Sequence, residues 1–187
     1  MIPKKIHYCW IGGNPLPKSA KKCIASWKKY CPDYEIIEWN ETNYDFTKNQ
    51  YMKEALEAKK WGFVPDFARL DIIYQHGGIY LDTDVEIIKP FDSLLNSKGF
   101  AGFESPDYVN LGQGFAAEPG NMVIKKLLES YDELKFKNDI TQRTVIARGI
   151  TKQQYMLDVG NDASKKELML VVKELIKRIE EDEEKGK

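Results

Sequence analysis

The sequence predicts an α/β fold, with a sheet of short strands sandwiched by helices. Three observations carry that prediction. Short apolar runs of strand length alternate with stretches whose apolar residues recur at helical spacing. Gly-Gly pairs and prolines punctuate the boundaries between them. The chain of 187 residues, 42% hydrophobic and 30% charged, also has the size and composition of one globular domain able to bury its own core.

The elements follow in order. Residues 6–11 (IHYCWI) are short, apolar and aromatic, and run as a strand into a loop at Gly12, Gly13, Asn14 and Pro15. Residues 18–30 place Cys23, Ile24 and Trp27 at helical spacing, with lysines on the other face. Pro32 and Asp33 break that helix, and residues 34–39 (YEIIEW) read as the second strand. Residues 51–60 form an amphipathic helix pattern. Pro65 opens another helix, from Asp66 to about residue 76, with Phe67, Leu70, Ile73 and Tyr74 as its core stripe. Gly77 and Gly78 end it and lead into a strand at 79–81. After Asp82-Thr83-Asp84 comes an extended run at 85–89, stopped by Pro90. Strands at 100–104 and 111–116 and a helix over 121–134 complete the core. Residues 164–184 carry a long helical pattern with Leu168, Val171, Val172, Leu175, Ile176 and Ile179 on one face. The expected organisation is a core at 1–135 and a helical segment at 136–187 packed on the same domain.

Charge and cysteine usage narrow the function classes. A net charge of −1 gives no electrostatic footprint for nucleic acid or a membrane surface. No apolar run approaches the length of a transmembrane helix or resembles a signal peptide, so no integral membrane segment is expected. Cys9, Cys23 and Cys31 are odd in number and lack metal-ligand spacing, which reads as reduced thiols in a cytoplasmic protein.

The chemistry concentrates at Asp82, Asp84 and Glu86. In an extended chain these alternate positions share one face, and such close like charges repel one another. One reading is a solvated strand end. The other is a divalent cation, since carboxylate oxygens suit Mg²⁺ or Mn²⁺ held by one or two carboxylates and substrate phosphates. Asp66 and Arg69 lie three apart on the helix feeding that strand. They read either as a surface ion pair or as a pair lining the same cleft, binding hydroxyls and phosphate.

The string PDFARLDIIYQHGGIYLDTDVEIIKP resembles the core of the DXD-containing sugar transferases. These include bacterial capsular-polysaccharide and yeast mannosyl enzymes, and are related to the glucosylating domains of large clostridial toxins. The opening IPKKIHYCWIGGNPLP resembles the same family's first strand, and the likeness covers about residues 1–135. It implies a GT-A-like fold with a central mixed sheet and a nucleoside-diphosphate sugar donor, UDP first among carriers. The hexose would pass to a glycan or protein acceptor, as in polysaccharide synthesis. By position, Trp10 would stack on the base, Asp66 and Arg69 would hold the sugar, and Tyr80 would sit near the donor. Asp82 would contact ribose or sugar, and Asp84 would coordinate Mn²⁺ or Mg²⁺ on the diphosphate. Asp82 and Asp84 are thus the expected catalytic pair. For Trp10 and Tyr80 core packing is the competing reading, and His7 and His76 read as structural or surface residues.

Relatives continue with further donor and acceptor elements and a late His…Ser-Trp stretch. Here no histidine follows His76 and no tryptophan follows Trp61. Two other readings therefore stand beside the first. One is a non-catalytic or engineered scaffold that keeps the donor-site fold. The other is a haloacid-dehalogenase-like phosphatase with Asp82 as nucleophile, whose motif would normally follow a first strand.

Overall fold

The computed structural model describes residues 1–105 and 108–136. The helical pattern at 164–184, and with it nearly all of the expected C-terminal segment, lies outside the described residues. A five-stranded sheet in the order β2-β1-β3-β5-β4 forms the core. Its strands are β1 (Lys5–Cys9), β2 (Glu35–Trp39), β3 (Gly78–Leu81), β4 (Gly99–Ser105) and β5 (Tyr108–Ala117). β1 runs parallel to both β2 and β3, while β5 is antiparallel to β3 and β4, so the sheet is mixed. The helices are α1 (Lys18–Tyr30), α2 (Gln50–Glu57), α3 (Pro65–His76) and α4 (Met122–Glu129).

Two apolar layers, one on each face, follow from side-chain alternation along the strands. Ile6, Tyr8, Ile79 and Leu81 face the layer completed by Ile24 and Trp27 of α1. Cys9 and Tyr80, one residue out of phase, face the layer built from α2, α3 and α4. That phase sets the site, because position 82 continues the Tyr80 side and therefore points toward α3.

The remaining elements depart from the sequence reading in three places. Residues 85–89 form no strand, because Val85 N–H bonds back to the Asp82 carbonyl at 3.1 Å and turns the chain. α2 stops at Glu57 rather than 60: Lys59 adopts φ +56° and Lys60 N–H caps the Ala55 carbonyl at 2.9 Å. α4 begins as expected, with the Asn121 side chain accepting from Val123 and Ile124 N–H, but ends at Glu129 instead of 134.

α3 is buried more completely than a stripe would allow. Ala68 through Ile73 are all buried, whereas Phe67 and Tyr74 are only half-buried. The helix is wedged between the sheet and its neighbours α2 and α4, so little of its circumference reaches water. Its polar members are accordingly paired: buried Asp71 accepts from Lys48, from the Tyr44 hydroxyl at 2.7 Å and from Gln75 at 2.8 Å.

Candidate donor-binding site

The carboxyl ends of the parallel strands β1, β2 and β3 open onto one edge of the sheet, where open α/β sheets bind ligands. Trp10 and the Gly12–Gly13 turn leave β1 there, Glu41 follows β2, and Asp82 and Asp84 follow β3. α3 ends where β3 begins, so its first turn, with Asp66 and Arg69, returns to this same edge.

Arg69 is the centre of the cluster. Its guanidinium donates to Asp66 Oδ1 at 2.6 Å, to the Pro65 carbonyl at 3.1 Å and to the Leu111 carbonyl at 3.5 Å. It stands 3.6 Å from Asp82 Oδ2 and 5.4 Å above the Tyr80 ring. Burial works against its charge, but the Asp82 and Asp66 carboxylates outweigh it and hold the guanidinium protonated. Asp66 Oδ2 also accepts from the Tyr51 hydroxyl at 3.2 Å.

Asp82 is pushed up to about 6, first by burial and then by the Asp84 and Asp66 charges, against the pull of Arg69. The Tyr80 hydroxyl bonds to this carboxyl and also reaches the Cys9 thiol, itself pushed up to about 12 by burial. Asp84 is exposed and makes no hydrogen bond or ion pair among the described residues. Asp82 thus sits as an anchored carboxyl with a raised proton affinity beside a free one. That is an unfavourable pair in isolation and a suitable donor set for a hard divalent ion. No three acidic, histidine or cysteine side chains converge on a closed cage among the described residues, so substrate oxygens or water would supply the remaining ligands.

The structure therefore brings Asp66, Arg69, Tyr80 and Asp82 into one connected group and places Asp84 at its exposed rim. Glu86 does not share that face: the turn at Asp82–Val85 breaks the alternation, and Glu86 pairs with Lys22 at 3.3 Å. Nor is the Asp66–Arg69 pair on a helix surface, since Arg69 is buried. Tyr80 is fully buried, and Trp10 is half-buried with its indole N–H on the Asn14 carbonyl at 2.5 Å. His7 is a buried structural residue, bonded to the Gly77 carbonyl and to Trp39, and His76 stacks on Trp39. Sequence reasoning missed Tyr51, Cys9, Glu41 and the Leu111 carbonyl. Their only signal is spatial, because each arrives from a different element. Glu41 accepts the Gly12 N–H at 2.6 Å and so fixes the turn beside Trp10.

Residues 17–101 match a family model described as a glycosyltransferase sugar-binding region containing a DXD motif. Among curated relatives, "Subversion of eukaryotic traffic protein A" of Legionella pneumophila is 25% identical over 74% of this chain and 26% of its own length. "Inositol phosphoceramide mannosyltransferase 3" of Schizosaccharomyces pombe is 32% identical over 62% of this chain and 33% of its own length. The chain thus spans about a quarter to a third of these relatives. The solved structure titled "PaToxG Glycosyltransferase" superposes with a TM-score of 0.57 at 22% identity, over 68% of this chain and 58% of that one, and shares the fold.

Proposed function

We propose that this chain, whose residues 17–101 match the DXD-containing glycosyltransferase sugar-binding region, moves a hexose from a nucleoside-diphosphate sugar, UDP-linked in the first instance, to a glycan or protein acceptor. The observation that carries the reading is the junction of an anchored carboxyl, Asp82, with an exposed unpaired one, Asp84, beside a buried arginine. Mn²⁺ or Mg²⁺ at this pair would supply Lewis-acid stabilisation of the departing diphosphate. Asp84 is the direct ligand, with both coordinating oxygens free to turn outward. Asp82, clamped by Arg69 and Tyr80, contacts ribose or sugar hydroxyls at a fixed position. Asp66 and Arg69 hold the hexose, and their mutual bond orients both before any substrate arrives. Trp10 stacks on the base, while Tyr80 acts from beneath as support for Arg69 and Asp82.

Calorimetric titration with UDP tests it, run with Mn²⁺ and then with excess chelator on this chain and on Asp84→Ala. Binding is expected to require the metal and to vanish in the variant, whose melting temperature stays within a few degrees because Asp84 supports no other group. Metal-independent binding, or binding retained by Asp84→Ala, overturns the assignment.

A further inference from the structure

Trp61 is the most exposed of the four tryptophans. It is 42% exposed, while Trp27 is fully buried and Trp10 and Trp39 are half-buried. It lies in the turn between α2 and α3, and its indole N–H has no partner among the described residues. The indole packs against a glycine. A methyl built on Gly12 would lie 3.6 Å from Cδ2 and Cε2 of the indole, an ordinary van der Waals contact, so the ring packs over this turn. Gly12 has φ +94°, a conformation that favours glycine, so the backbone of the turn beneath the indole depends on that residue.

The turn that holds Trp61 also holds Trp10. Trp10 donates to the Asn14 carbonyl at 2.5 Å, Trp61 lies on Gly12, and Glu41 ties the Gly12 N–H from the far side at 2.6 Å. Five residues past Trp61 stands Asp66, which begins the charged cluster. Two indoles are therefore fixed around one turn at the edge that carries the carboxylates. A rigid aromatic with one face backed by protein and the rest open to solvent is a stacking platform whose ordering cost is already met.

Building on the donor reading above, we propose that Trp61 is a second aromatic wall of the nucleobase pocket, working with Trp10. Stacking on an indole uses the π-face of the base rather than its edge, and is therefore tolerant of which base is present. Trp61 strengthens binding of UDP and GDP alike and contributes nothing to a ligand without a base.

The test is a set of titrations in the presence of Mn²⁺ with UDP, GDP and inorganic pyrophosphate, on this chain, Trp61→Ala and Trp61→Phe. Trp61→Ala is expected to weaken whichever nucleotides the chain binds by roughly 5- to 100-fold, in line with base stacking on aromatic side chains. Trp61→Phe should lose only a few-fold, and pyrophosphate should bind all three proteins equally, which also shows the metal site intact. Unchanged nucleotide binding by Trp61→Ala overturns the inference while leaving the donor reading in place. An equal loss for all three ligands assigns Trp61 to folding and overturns it too. Absence of nucleotide binding by the unaltered chain overturns the donor reading and this inference with it.

Discussion

Arg69 is a buried cation whose donors are divided among two carboxylates and two carbonyls. Removing it leaves Asp66 and Asp82 facing one another's charge without a counter-ion. Breaking such a pair costs more than the pair itself contributes, because the stranded charge has lost water and gained nothing. Arg69→Ala is therefore expected to destabilise the fold by about 3 kcal/mol, read from urea denaturation at neutral pH. Arg69→Lys should recover only part of this, since an ammonium restores charge but cannot reach both carboxylates in a fork. A loss below about 1 kcal/mol for the alanine variant would show that the cluster is far wetter than its geometry indicates. At this scale the sequence was informative for a definite reason. Asp66 and Arg69 are three apart on one helix, and Asp82 and Asp84 flank one residue, so local spacing encodes both pairs. Tyr51 and Cys9 come from other elements and leave no trace in any local window.

Between α3 and β3, the Gly77–Gly78 pair does what no other residues could do. Gly77 has φ +63° and Gly78 φ +105°, and a methyl on Gly78 would lie 2.9 Å from both His7 Nε2 and the Lys5 carbonyl. The close approach lets α3 stop and β3 enter the sheet beside β1 within two residues, which returns Asp66 and Asp82 to the same edge. Gly78→Ala is expected to cost about 2–4 kcal/mol, from backbone strain plus the steric clash. Gly13→Ala is the matched control, with φ +68° but open space around the added methyl, and should cost about 1–2 kcal/mol. Melting curves that rank the two variants equally would refute a packing role for Gly78. Gly-Gly punctuation was legible in the sequence, as were the helix starts at Pro65 and Asn121. The run at 85–89 was not, since its apolar alternation is that of a strand. A single backbone bond from Val85 to Asp82 decides against the strand and removes Glu86 from the carboxylate face.

Across the whole molecule, the titratable groups His7 and Asp82 meet water differently, and this shows in the response to acid. The mixed strand order and the division of faces follow from the positions of β1 and β3, which periodicity predicts, and from the antiparallel β5, which only pairing reveals. His7 lies inside the parallel seam. Its Nε2–H donates to the Gly77 carbonyl and its Nδ1 accepts from Trp39, so both nitrogens are satisfied by the neutral ring. Burial lowers its pKa from 6.5 to about 4, helped by the nearby His76 and Lys5 charges and opposed by the Gly77 bond. The unfolded chain therefore takes up this proton near pH 6.5 while the folded chain resists it until about pH 4, and stability falls as pH drops through that window. Asp82 acts in the opposite sense. Its raised folded pKa, about 6, means the folded state gains protons first, so acidification relieves some of its burial. Because the Asp82 side chain is 35% exposed and His7 is fully buried, the histidine dominates. The two contributions separate in a difference measurement. The stability of the unaltered chain minus that of His7→Gln should shrink by about 2–3 kcal/mol between roughly pH 7.5 and pH 4.5, with Asp82 cancelling because both proteins carry it. If urea midpoints show a constant difference across this range, His7 is not buried as a neutral ring, and the seam that joins β1 to β3 is held by something other than its two hydrogen bonds.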